Sequence, residues 1–203
     1  MLRYKSVSWT EAEVDGTLKG KPWRAKLPSV GRHMALNAAA AVLAAHCTGV
    51  PVQEAASALS HAVLPPMRME VIELNGATIV LDNYNASPPS MAAAIETLSE
   101  IPARGRRLAI IGEMRELGPE SAAGHKSVGE ALGRSKVDGV LFYGDATKEA
   151  ARSSGLAGVT FASSLADVTD FLRTVRAGDV VLIKGSRALE LEKALAPLME
   201  PVA

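Results

Sequence analysis

A single cysteine, Cys47, occurs in the 203 residues, so no internal disulfide can form. It lies in an alanine-rich apolar segment and is expected to be a small buried hydrophobe. No charge of either sign predominates: 22 Lys and Arg balance 22 Asp and Glu, with a pI near 6.9. This gives no electrostatic footprint for nucleic acid. No apolar run approaches the roughly 18 residues of a membrane span, and no apolar signal core follows the first residues. These features point to a cytoplasmic protein. Neither G-x-G-x-x-G after a strand nor G-x-x-x-x-G-K-[ST] occurs. His33, His46, His61 and His125 are dispersed, so no metal-ligand cluster is expected. Ser90 and Ser186 carry no local nucleophile signature.

What is present is length, hydrophobicity and alternation. With 48% hydrophobic residues the chain can build a sizeable core, in one large or two small domains. Tyr4–Trp9 and Trp23–Leu27 read as strands, with a tight-turn signal at Val14–Thr17. Arg32–Cys47 is an alanine-dominated helix, and Val52–Val63 is a second helix. The prolines at 65 and 66 interrupt the helical pattern and mark a domain boundary, giving domains 1–66 and 67–203.

Beyond the prolines, strands are expected at Met69–Leu74, Ala77–Leu81, Arg107–Ile111, Gly139–Tyr143, Val159–Ala162 and Asp179–Ile183. Helices are expected at Pro88–Glu100, Glu120–Leu132, Thr147–Ser154, Leu165–Val175 and Ala188–Met199. Asn75-Gly76 is a hairpin signal. The alternation that follows predicts an α/β fold, a doubly wound, mostly parallel sheet covered on both faces.

Three polar loops follow strands: Asp82–Ser87, Gly112–Gly118 and Lys184–Arg187. In a parallel sheet all three leave the same edge and can line one cleft. Lys184 and Arg187 suit a carboxylate or phosphate, and Asp82 suits a ribose hydroxyl. Any one loop taken alone is explained equally well by an ordinary turn or a solvated ion-pair network; their coincidence favours a site. A further constellation opens the alanine-rich helix, where His33 and Asn37 share one face near its N-terminus. Arg68 stands at the domain junction.

Taken in order, Gly31-Arg-His-x-x-x-Asn37, Pro66-x-Arg-Met-Glu70 and Asp82-x-Tyr-Asn-Ala86 resemble the Mur ligases of peptidoglycan synthesis. Ile111-Gly-Glu-Met-x-Glu-Leu-Gly118, His125-x-x-Val-Gly129 and Lys184-Gly-Ser-Arg187 narrow the resemblance to the type that joins D-alanyl-D-alanine to a UDP-N-acetylmuramoyl-tripeptide. Met34, Met67, Asn83, Ser87 and Glu113 depart from the residues usual in that family at their positions.

The resemblance implies an ATP-dependent acid–amino-acid ligase with a Rossmann-like C-terminal domain, preceded by the end of a central ATP-binding domain. ATP and Mg²⁺ would be required. His33, Asn37, Arg68 and Asp82 would contact the nucleotide. Tyr84, Asn85, Glu113 and Ser186 would face the peptide substrates, and Lys184 and Arg187 the reacting centre. It also implies that the phosphate-binding G-T-N-G-K-T loop, the Mg²⁺ ligands and a UDP-binding N-terminal domain lie outside these 203 residues, so that the chain alone is inactive. Other Mur-type ligases, a cyanophycin-synthetase relative and a non-catalytic nucleotide- or peptide-binding module are the competing readings.

Overall fold

The computed structural model describes residues 2–199, which divide between Pro65 and Pro66 into two compact units. In the first, β1 (Leu2–Ser6), β2 (Ala12–Leu18) and β3 (Lys21–Leu27) form an antiparallel sheet. β2 alternates buried and partly exposed residues, as a strand with one covered face must. Val14, Trp23, Ala25 and Leu27 pack against Ala35, Ala38 and Val42 of α1 (Arg32–Cys47) and Val52, Ala55 and Ala56 of α2 (Val52–Ala58).

Three expectations need correction here. Asp15-Gly16 is not a turn but the middle of β2, because Gly16 makes room for the Trp23 ring. A Cβ on Gly16 would stand 2.3 Å from that ring. The turn is Lys19-Gly20, both with positive φ, joining the Leu18–Lys21 pair as a primed hairpin turn requires. The second helix ends at Ala58 and tightens into a 3₁₀ turn at Leu59–His61. Cys47 is exposed, not buried: α1 is apolar on every side, and only one of its faces is covered within the unit, leaving Leu36 and Leu43 exposed as well.

The second unit is the expected α/β fold. Its six strands are β4 (Glu70–Leu74), β5 (Ala77–Leu81), β6 (Arg107–Gly112), β7 (Gly139–Tyr143), β8 (Val159–Ala162) and β9 (Val180–Lys184), in the order β4-β5-β9-β6-β7-β8. β4 and β5 form the Asn75-Gly76 hairpin, and every other pairing is parallel. The helices are α3 (Pro88–Glu100), α4 (Ser121–Gly133), α5 (Thr147–Ser154), α6 (Leu165–Arg173) and the short α7 (Ala196–Met199).

Ile79, Leu108, Ile110, Leu141, Val181 and Ile183 meet Val168 and Leu172 of α6 and Leu191 and Leu195 on one face of the sheet. The strand residues of opposite parity, Val80, Ala109, Ile111, Val140, Phe142 and Leu182, are equally buried on the other. α3 starts at a capping box, with Ser87 as N-cap, Pro88 at the first position and Ser90 reaching back to the Ser87 N–H.

The expected helix over 188–199 is instead two 3₁₀ turns and a short α-turn. Glu190 adopts a left-handed conformation (φ 49°) that no helix continues, and Pro197 removes a donor further along. α4 and α5 approach closely at Gly129, where a Cβ would lie 2.2 Å from the Ala150 carbonyl oxygen. Gly129→Ala should therefore destabilise the chain by about 2 kcal/mol through overpacking, measured by urea denaturation.

Candidate functional site

β5, β9 and β6 are adjacent and parallel, with Leu81 in register with Ile183 and Ile111 with Lys184. The three polar loops therefore leave the same edge side by side. Lys184 ends β9 with its side chain 2% exposed, and its direction differs from that of a cleft cation. Nζ donates to Asp82 Oδ2 at 2.7 Å, to the Asp82 carbonyl at 3.0 Å and to the Asn85 carbonyl at 3.2 Å. All three ammonium donors are used, so Lys184 is a pin that holds the 82–85 loop against the end of β9.

Asp82 is fixed from two sides, because Oδ1 accepts the Met69 N–H at 3.2 Å. The Met67 N–H donates to Glu70 Oε2, and the Tyr84 N–H to the Met67 carbonyl. Met67 and Met69 both take positive φ (57° and 53°), a conformation that costs a non-glycine residue roughly 1–2 kcal/mol and persists because these bonds hold it. Arg68 lies between them with its guanidinium 4.4 Å from the centre of the exposed Tyr84 ring, a cation–π contact.

The second junction joins β6 to β9. Ser186 N–H donates to the Glu113 carbonyl, and Ser186 Oγ accepts the Arg115 N–H at 2.7 Å. The approach depends on two glycines: a Cβ on Gly185 would lie 2.8 Å from the Gly112 Cα. The Glu113 carboxylate pairs with Arg115 Nε at 2.7 Å. Arg187, unlike Lys184, is about half exposed, and it pairs with Glu192 at 2.5 Å. Glu192 also accepts from the fully buried Asn83 at 2.6 Å.

Within this unit the structure thus brings together Asp82, Asn85 and Lys184 in one contact network, Glu113 and Ser186 in a second, and Arg68 with Tyr84 in a third. His33 and Asn37 lie in the first unit, one turn apart on α1, with Asn37 exposed and its amide directed to Met34 Sδ at 4.0 Å.

Sequence reasoning missed Glu192 and Asn83, whose bridge to Arg187 has no periodic signature. It placed His125 in a motif but did not foresee its burial on α4, 1% exposed, with Nε2 accepting the Met114 N–H. A histidine four residues after Ser121 on an otherwise small-residue helix face was the available signal.

Beside Glu113, at the ends of β6, β7 and β8, a cavity of about 550 Å³ is lined by Arg115, Tyr143, Lys148, Phe161 and Leu189 among others. It is within the size range of small-molecule sites and carries charges of both signs. Among the described residues, no group of three or more His, Cys, Asp or Glu side chains could hold a metal ion. Nor, among the described residues, is any helix long and apolar enough to cross a membrane.

The family profile described as "Mur ligase, glutamate ligase domain" matches residues 67–187, which span β4 to β9 and every loop of the site. The UDP-N-acetylmuramoyl-tripeptide–D-alanyl-D-alanine ligase of Bacillus subtilis is 33% identical over 209 residues, covering 97% of this chain and 44% of the relative. MurF from Acinetobacter baumannii superposes with a TM-score of 0.84 at 26% identity, over 97% of this chain and 44% of that one. MurF from Thermotoga maritima in complex with ADP gives 0.80 at 27% identity, over 96% and 45%. The chain spans less than half the length of these relatives. With the profile matching more than half of its residues and a 33% identical relative covering 97% of it, the chain belongs to the Mur ligase family.

Proposed function

We propose that this chain is the C-terminal part of a MurF-type ligase, in which the first unit is the end of the central ATP-binding domain and residues 67–203 are the C-terminal domain. The assembled enzyme works in the cytoplasm and joins D-alanyl-D-alanine to a UDP-N-acetylmuramoyl-tripeptide. ATP phosphorylates the tripeptide carboxylate, and the dipeptide amine displaces phosphate from the resulting acyl phosphate. Mg²⁺, held by residues outside this chain, would supply charge neutralisation to the transferred phosphoryl group.

The observation that carries this reading is the convergence of the 82–87, 112–118 and 184–187 loops on one sheet edge, in a chain with a 33% identical ligase relative. Asp82 fits a ribose. Its two oxygens are held by Met69 and Lys184, yet the carboxylate is 16% exposed and keeps lone pairs free for a hydroxyl. Arg68 supplies an exposed cation for phosphate, and the family resemblance gives the adenine to His33 and Asn37. Tyr84, Asn85 and Ser186 line the approach to the reacting carboxylate.

Arg187 is the cation free to turn toward the acyl phosphate, exchanging Glu192 for it, whereas Lys184 acts by holding Asp82 and Asn85 in place. The dipeptide occupies the 550 Å³ cavity, its ammonium against Glu113 and its carboxylate against Arg115 or Lys148.

Phosphate release, measured with ATP, Mg²⁺, the UDP-linked tripeptide and D-alanyl-D-alanine, should stay at background for this chain, which has no phosphate-binding lysine loop. In a full-length version, Arg187→Ala should lower turnover about 100-fold while changing stability by less than about 1 kcal/mol. Unchanged turnover would remove Arg187 from the reacting centre.

A further inference from the structure

The loop carrying Glu113 and Arg115 is held by three successive backbone donors, each directed to a different element. Glu113 N–H donates to the Tyr143 carbonyl at the end of β7, and Arg115 N–H to Ser186 Oγ after β9. Between them Met114 N–H donates to His125 Nε2 on α4 at 3.0 Å. The other ring nitrogen, Nδ1, lies 2.8 Å from the Ser121 carbonyl oxygen, with Ser121 Oγ at 3.4 Å.

A carbonyl oxygen can only accept, so Nδ1 carries the proton; a backbone N–H can only donate, so Nε2 carries the lone pair. The geometry therefore specifies a neutral imidazole in one tautomer, 1% exposed. A second proton on Nε2 would set two donors against each other at a buried position. Among the described residues no carboxylate or cation is paired with the ring.

We propose that His125 is a positioning residue for the Glu113–Arg115 pair: its Nε2 lone pair fixes Met114, and through it the two charged side chains that line the cavity at the ends of β6–β8. The use of that cavity in catalysis rests on the function proposed above. The hydrogen-bond latch itself rests on this chain's geometry alone, so the two can fail separately.

The test is nitrogen-15 NMR of this chain. The expected result is a scalar coupling between the Met114 amide nitrogen and His125 Nε2, and ring shifts of the Nδ1–H tautomer at neutral pH. His125→Leu should speed Met114 amide exchange about tenfold or more and disorder the Arg115 Nε–H signal. His125→Gln, which keeps an acceptor near the Nε2 position, should restore both.

An Nε2–H tautomer, or a ring protonated at neutral pH, overturns the proposal. So does an Arg115 signal unmoved by the leucine variant. If His125→Leu does not fold, the coupling and tautomer in the unsubstituted chain and the exchange of Met114 in His125→Gln decide.

Discussion

Lys184→Ala should destabilise the second unit by about 3–5 kcal/mol in urea denaturation, a loss typical of breaking a buried ion pair. The substitution leaves the largely buried Asp82 carboxylate without its counterion and deprives the Asp82 and Asn85 carbonyls of their donor. It also opens a cavity at the end of a strand whose five residues are all buried. The loops after β5 and β9 lose the Lys184 ammonium link, so Tyr84 and Asn85 should gain mobility, visible as faster amide exchange over 82–86. Lys184→Met restores volume but not donors and should recover less than half of the loss. A cost below about 1 kcal/mol would place Lys184 among ordinary surface cations and refute its role as the pin.

Asp179→Ala should cost about 3 kcal/mol at the opposite edge of the same sheet. Asp179 precedes β9 with its side chain 4% exposed, and it accepts from Arg106 N–H, Nε and Nη2 and from Arg176 N–H. Gly105 leaves the space it fills, since a Cβ there would stand 2.5 Å from Asp179 Oδ1. The figure is set at the low end for a buried pair because Arg106 remains 41% exposed.

Burial pushes the Asp179 carboxyl up, but the Arg106 side chain, the Arg176 and Arg106 backbone N–H groups and the Arg106 charge outweigh it, holding the group below the usual 3.8. A folded-state value lowered in this way contributes stability that is fully present above 3.8 and is lost as pH falls through the folded-state value. The gap between the original chain and Asp179→Ala should therefore be constant near neutrality and narrow in acid. A gap that widened on acidification would show that the ion pair is not its source.

The strands and helices of the second unit were legible because their physics is local. Runs such as Val180–Ile183 bury both faces, Asn75-Gly76 supplies the positive-φ turn, and Ser87-Pro88 caps α3. The edge shared by the three loops followed from alternation alone. What sequence could not convey was direction. Lys184 and Arg187 are both cations three positions apart, yet one is buried against Asp82 and the other exposed against Glu192. That difference is set by β9 lying between β5 and β6, which no local pattern records.

Asp15-Gly16 misled for a related reason. Its glycine serves a tryptophan seven residues away, not a turn. Cys47 misled because an apolar helix reads as buried on all sides, whereas the unit that holds it covers one.

The central place of β9 has a consequence for how the protein is made. The last strand of the sheet to leave the ribosome is the one that joins β5 to β6. Until residues 180–184 emerge, the nascent sheet consists of a β4–β5 hairpin and a separate β6–β7–β8 ribbon, each with an unpaired strand beside the gap. At ~5–20 residues per second, the roughly hundred residues between Asp82 and Lys184 correspond to about 5–20 seconds of waiting with these edges exposed. Closure of such sequence-distant contacts is slow, and open edges invite association between chains. A ribosome stalled before residue 180 should therefore display a chaperone substrate, and the three loops become neighbours only when synthesis of this unit is nearly complete.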